Sequence, residues 1–183
     1  MTNIEPYKTM PFSCGGVWPH GIPISQSWAS IGAIFSLIHT YKIKTFVEIG
    51  TDQGGLGYLL STVESSIDGF RYHGIEKYPD KIHETMNKSE FRKKIFDGDF
   101  FAEDGQTWLE EILINSTKPI MVLCDNGNKP EEVRIVSEKM KLGYILSHDY
   151  PTEFKETDQP ENTKRIENAW LPGTNLYLMK KGK

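Results

Sequence analysis

Residues Thr45–Leu60 read TFVEIGTDQGGLGYLL. The stretch opens on an apolar, β-branched run, Phe46-Val47-Glu48-Ile49. It turns through Gly50-Thr51-Asp52-Gln53-Gly54-Gly55 and resumes as an apolar segment, Leu56 to Leu60. Strand, glycine turn and helix start make the first half of a βαβ unit. A tight turn there needs positive φ, and a ligand that approaches bare backbone needs the side chain absent; glycine meets both needs. The helix start just beyond offers unpaired N–H groups and the positive end of a dipole.

Outward from this stretch the chain alternates. Strands are predicted at Thr45–Ile49, Tyr72–Glu76, about Lys94–Asp97, Ile120–Cys124 and Tyr144–Ser147. Helices are predicted from Gly55 to about Ser65, from Pro79-Asp80 onward, over Ala102–Ile114, and over Pro130–Lys141 with Val133, Val136 and Met140 inward. Ahead of the first strand, Ser25 or Ser27 can cap a helix whose Trp28, Ile31, Phe35 and Ile38 repeat at helical spacing. The tail holds a strand at Thr174–Met179 and a weaker one near Ile166–Leu171, after a polar, proline-bounded loop over 150–163. Alternation at this spacing predicts an α/β, Rossmann-like three-layer sandwich: a mostly parallel sheet of about six to seven strands, with an antiparallel C-terminal strand. Residues 28–183 read as one domain. Residues 1–27 are rich in Pro and Gly yet hold Tyr7, Phe12, Trp18 and His20, so they read as an irregular segment packed on it.

The totals exclude several classes. A chain of 183 residues suffices for one domain with a proper core. The net charge is −4 and no basic block stands out, which argues against a nucleic-acid partner. The most apolar-leaning stretch, Ile22 to Ile38, is broken by polar residues and a proline, so no membrane span is expected. The N-terminus shows no signal peptide. Cys14 and Cys124 form no disulfide framework or CxxC site, Cys124 reads as a small core residue, and a cytoplasmic location follows. A homo-oligomer is left open.

Carboxylates fall at the carboxyl end of every predicted parallel strand: Glu48, Glu76, Asp99, Asp125 and Asp149, spaced 23 to 28 residues apart. Open parallel sheets bind ligands outside those ends, where the strand order reverses. Crowded carboxylates repel one another and call for cations or hydrogen-bond donors. The glycine turn itself reads Glu48-x-Gly50-x-x-x-Gly54, which lacks the GxGxxG of dinucleotide folds. It resembles motif I of the Rossmann-like S-adenosylmethionine (SAM) methyltransferases. SAM carries an ammonium and a sulfonium but no pyrophosphate, so a carboxylate at the turn suits it. Glu76 can accept both ribose hydroxyls. Asp99 can accept from the adenine amino group, with Asp97 as its rival, and Phe100 or Phe101 can lie against the ring. Asp125 ends a buried strand. With Asp149 and His148 it can hold one divalent cation, Mg²⁺ or Mn²⁺, that binds acceptor oxygens. Alternatively, His148 is itself the general base.

The wider resemblance is to the group of SAM methyltransferases that contains cephalosporin hydroxylases and rhamnosyl O-methyltransferases. It is carried by Gly21-Ile22-Pro23-Ile24-Ser25-Gln26-Ser27, by Phe46 to Thr51 with Gly54-Gly55, and by the strand ends at Glu76, Asp125 and Asp149. It covers about residues 18–150. It implies a metal between the acid of the fourth strand and an acidic pair after the fifth, which selects Asp125 and Asp149. His148 stands where the first acid of that pair would be. The expected function is SAM-dependent methyl transfer to an oxygen of a small hydroxylated acceptor such as a sugar. Glu48, Gly50, Thr51, Gly54, Glu76, Asp99 and Phe100 are the expected cofactor residues. Asp125, His148 and Asp149 are the expected catalytic and metal residues, and His20 and Gln26 are candidates for closing the crevice. The rival readings are a nucleotide-dependent oxidoreductase and a SAM- or nucleotide-binding protein without turnover.

Overall fold

The computed structural model describes residues 16–17, 22–64, 66–87, 89–167, 171 and 174–182. Tyr7, Phe12, Cys14, Trp18, His20 and Gly21 lie outside them. Strands β1 (Gly16–Val17) and β2 (Pro23–Ile24) pair antiparallel with each other. There follow α1 (Trp28–Thr40), β3 (Thr45–Ile49), α2 (Gly55–Thr62), β4 (Arg71–Glu76), α3 (Glu84–Asn87) and β5 (Ile95–Asp97). The second half comprises α4 (Glu103–Asn115), β6 (Ile120–Cys124), α5 (Lys129–Lys139), β7 (Gly143–Ser147), β8 (Thr163–Arg165) and β9 (Tyr177–Lys181).

Seven strands form one sheet in the order β5-β4-β3-β6-β7-β9-β8. The five from β5 to β7 are parallel, and β9 runs antiparallel to both β7 and β8. The chain winds outward from β3 to β5 and then returns to lay β6 on the other side of β3, so the order reverses between β3 and β6. Side-chain alternation builds the layers. Phe46, Tyr72, Met121 and Leu123 face α1 and α2 with Ile34, Ile38, Leu56 and Leu60. Val47, Ile49, Ile75 and Val122 face α4 and α5 with Leu109, Val133 and Val136. Both β3 and β6 are buried at every position, as strands covered on both faces must be. Each such aliphatic side chain stabilises the fold by about 1.5–3 kcal/mol. That reserve supports the carboxylates gathered at the strand ends.

Several boundaries differ from the sequence reading. Ser27 does cap α1, its hydroxyl accepting from the Ser30 N–H at 3.0 Å. The buried stripe, however, runs through Ile31, Ile34 and Ile38; Trp28, the first residue of the helix, is 46% exposed and Phe35 is only partly buried. The helix expected from Pro79 is instead a 3₁₀ turn (Pro79–Lys81), the single turn of α3 and a second 3₁₀ stretch (Glu90–Lys94). Ile82, Met86 and Phe91 are buried there; on one continuous helix Phe91 would fall opposite Ile82 and Met86, and the His83 N–H is drawn to the Gln53 carbonyl at 3.2 Å. Among the described residues the tail strands are β8 and β9; the clearer one starts and ends later than expected, and the weaker one expected near Ile166–Leu171 falls partly outside the described residues. Among the described residues no helix is long and apolar enough to cross a membrane.

Candidate active site

The glycine turn follows β3 at the point of reversal. Gly50 has φ +88°, and a Cβ there would stand 2.7 Å from the Asp125 carbonyl oxygen. The close approach that excludes a side chain is therefore to the end of β6. Gly54 has φ +86° and forms the N-cap of α2. Between them Thr51 is buried, and its hydroxyl donates to the Ile75 carbonyl at 3.2 Å.

Beneath this turn lies Glu48, buried, with the Tyr72 hydroxyl donating to its carboxyl group. Burial pushes its pKa well above the usual carboxylate range. The Tyr72 hydrogen bond opposes that, and the charges of Asp125, Glu76 and Asp52 add to it. Glu76 is also buried, and its two oxygens accept from the N–H groups of Asp52 (2.8 Å) and Tyr78 (2.9 Å). Each oxygen keeps one further lone pair for a ligand hydroxyl.

Asp99 stands apart from this centre. Its carboxylate pairs with the Lys77 ammonium at 2.7 Å, and that hydrogen bond holds it below the usual range. Asp97 turns outward to Arg92. Phe100 is fully buried among Val47, Ile49 and Ile75, so it belongs to the core beneath the sheet and not to a ring-stacking surface. Phe101, beside it, is only partly buried.

Across the reversal point Asp125, His148 and Asp149 come together. The three offer one ligand atom each, all within 4.8 Å of one another. His148 Nδ1 lies 2.9 Å from Asp125 Oδ1 and 3.4 Å from Asp149 Oδ2. A ring nitrogen facing two carboxylate oxygens carries the proton and donates. Burial lowers the His148 pKa, but the Asp125 hydrogen bond and the charges of Asp125 and Asp149 outweigh it, leaving the pKa above its ordinary value. Asp149 has φ +58°, and its second oxygen accepts from Asn175 Nδ2 at 2.9 Å. Asn175 Oδ1 in turn accepts from Ser30 of α1 at 3.1 Å.

Four residues of this cluster escaped the sequence reading. Lys129, the buried first residue of α5, places its ammonium 3.5 Å from Asp125 Oδ1, 3.2 Å from Asp149 Oδ2 and 2.8 Å from Glu153 Oε2. Glu132, fully buried, accepts from the N–H groups of Asn126 (3.1 Å) and Asn128 (3.0 Å) and so shapes the loop after β6. Burial pushes its pKa up to about 7, against those two hydrogen bonds. Glu153 and Asn175 complete the set. A signal for Lys129 was present: a lysine at the first helical position opposes the helix dipole and needs a local reason.

The segment after β2 crosses the mouth of the crevice. Ser25 donates to Asp52 Oδ2 at 2.8 Å, and Gln26 Nε2 donates to Asp125 Oδ2. The Gln26 side chain is 5% exposed, and its Oε1 has no hydrogen-bond partner among the described residues. An orphaned buried acceptor at a cleft costs about 1–3 kcal/mol unless a ligand or water satisfies it. Pro23, Ser25, Gln26, Glu48, Gly50 and Asp125 line a shared cleft there.

Solved structures share this architecture. CmcI-N160 in its apo form aligns with 91% of this chain and 76% of its own, with a TM-score of 0.70 and 11% identity. CmcI-D160 with Mg-SAM aligns over 74% and 57%, with a TM-score of 0.58 and 14% identity. The O-methyltransferase from Bacillus cereus in complex with SAH aligns over 86% and 82%, with a TM-score of 0.53 and 14% identity. No protein-family model and no curated protein matches the chain. The likenesses establish a Rossmann-like α/β fold.

Proposed function

We propose that the chain is a SAM-dependent methyltransferase that transfers the methyl group to an oxygen of a small hydroxylated molecule such as a sugar. One observation carries the reading. A carboxylate pair, Glu48 and Glu76, flanks the glycine turn on one side of the strand reversal, and an aspartate–histidine pair, Asp125 and His148, stands on the other. Glu48 faces where a sulfonium or ammonium would lie, and binding that cation favours its ionised form. Glu76 offers its remaining lone pairs to the ribose hydroxyls. Gly50, Thr51 and Gly54 shape the backbone beneath the ligand, and Asp99 with Phe101 borders the adenine end. The orphaned Gln26 Oε1 supplies an acceptor for a ligand ammonium or hydroxyl.

On the acceptor side, Asp125 accepts a hydrogen bond from the Nδ1–H of His148 and so leaves the Nε2 lone pair to draw the proton from an acceptor hydroxyl. The oxygen so uncovered attacks the methyl carbon in line with the departing sulfur. Transfer of this kind depends chiefly on alignment and an unprotonated nucleophile. Asp149, held by Asn175, orients the pair. Residues 28–183 act as one domain.

Calorimetry tests the reading directly. SAM and SAH are expected to bind, and NAD(H) is expected not to. Glu76→Gln is expected to weaken SAM about tenfold or more, the loss of one hydrogen bond to a charged acceptor. SAH release is then followed against a panel of sugars and phenols. Equal affinity of Glu76→Gln and the parent chain, or binding of NAD(H) in place of SAM, overturns the reading.

A further inference from the structure

We infer that the Lys129 ammonium is the resident cation of the strand-end acids, and that it fills the place where Asp125, His148 and Asp149 would otherwise receive a divalent metal. The inference concerns the acceptor side of the site proposed above and rests on that reading for its part in turnover.

Three observations support it. First, the two oxygens nearest the imidazole, Asp125 Oδ1 and Asp149 Oδ2, are the same two that the ammonium contacts, at 3.5 and 3.2 Å. A divalent ion needs those oxygens at about 2.0–2.6 Å, which leaves no room for an ammonium between them. Second, His148 Nδ1 faces the carboxylates as a donor, whereas a metal ligand must present a lone pair. Third, Glu153 Oε2 adds a contact at 2.8 Å, so the lysine has three carboxylate partners while its side chain is only 5% exposed. A buried ammonium is costly without partners and stable with them. The same cradle makes Lys129 unsuited to act as a base, since its neighbours hold the proton on it.

Lys129 is thus a positioning residue. It fixes Asp125 and Asp149, and through Asp125 it fixes the tautomer of His148. Methyl transfer here needs no divalent ion, because the positive charge that orders the acids is covalently attached at the start of α5.

Manganese binding to the full chain, read by electron paramagnetic resonance of the free ion, tests this without SAM or turnover. The parent chain is expected to leave Mn²⁺ free. Lys129→Met, similar in length and uncharged, is expected to bind one Mn²⁺ per chain at least about tenfold more tightly than the parent. Lys129→Arg is expected to behave as the parent. One-per-chain binding by the parent that Asp149→Asn removes overturns the inference, as does Lys129→Met binding no tighter than the parent. Where Lys129→Met does not fold, the parent and Asp149→Asn decide: Mn²⁺ left free by both supports it, and Mn²⁺ bound by the parent alone overturns it. Failure of SAM binding by calorimetry would overturn the methyl-transfer reading and leave this result standing.

Discussion

At His148 two forces oppose each other. Burial favours the neutral ring; Asp125 and Asp149 favour the charged one and win. A base held above its ordinary pKa is charged, and idle, through more of the neutral range. On the proposed reading, the rate of methyl transfer is therefore expected to climb with pH beyond the ordinary histidine value of 6.5. Asp125→Asn removes the largest stabilisation of the charged ring. It should shift that limb to lower pH and cut kcat on the order of 10²-fold or more, while SAM still binds. An unmoved pH–rate limb in Asp125→Asn would remove the pair from the chemistry.

The two elements that meet at the reversal, the β3 turn and the end of β6, are fitted backbone to backbone. Gly50→Ala would force both a positive φ on alanine and a Cβ into the Asp125 carbonyl. Gly54→Ala carries the same φ penalty, but its nearest atom is Met86 Cε at an ordinary 3.5 Å. Gly54→Ala is expected to cost about 1–2 kcal/mol and Gly50→Ala clearly more, measured as midpoints of urea unfolding. Equal costs would mean that the contact with Asp125 is unimportant. At this scale the sequence was most legible. Strand β6 carried its burial in an uninterrupted apolar run and β3 in one broken by Glu48, and the glycine spacing marked the turn. The acids at strand ends followed from register, because a strand that stops at Ile49, Glu76, Cys124 or Ser147 presents its next residues to one rim. Asp99 departed from that pattern because β5 is only three residues long and Lys77 draws the carboxylate aside. Phe100 was misplaced because sequence position says nothing about which side of a turn a ring enters. Lys129, Glu132, Glu153 and Asn175 were not foreseen, since their importance arises from contacts between segments that only the folded chain brings together.

For the molecule as a whole, the titrating groups with raised values share one sign. Glu132 has its folded pKa at about 7 against an unfolded 4.5, so its contribution is greatest below the unfolded value and is lost as pH rises through the folded one. Glu48 follows the same course. The His148 contribution is present below 6.5 and is lost as pH rises through its raised pKa. Asp99 acts oppositely, losing its contribution as pH falls below 3.8 and through its depressed pKa. The unfolding temperature is therefore expected to peak in mildly acidic solution, at about pH 5, and to decline toward pH 8. Glu132→Gln should flatten that decline by on the order of 2–3 kcal/mol between those limits. A slope identical to that of the parent chain, measured by calorimetric scans, would contradict the assignment.

The pairing of Thr45 with Ile120, at the seam between the outward and returning halves of the sheet, has a consequence for how the chain is made. During synthesis β3 emerges long before its partner β6, so one edge of an apolar strand waits with its amides and carbonyls unpaired. Long-range parallel pairing of this kind is slow to form. Until residue 124 has left the ribosome, the nascent protein carries an adhesive border that only its own later half can cover, which makes this interval the one in which a chaperone would matter most.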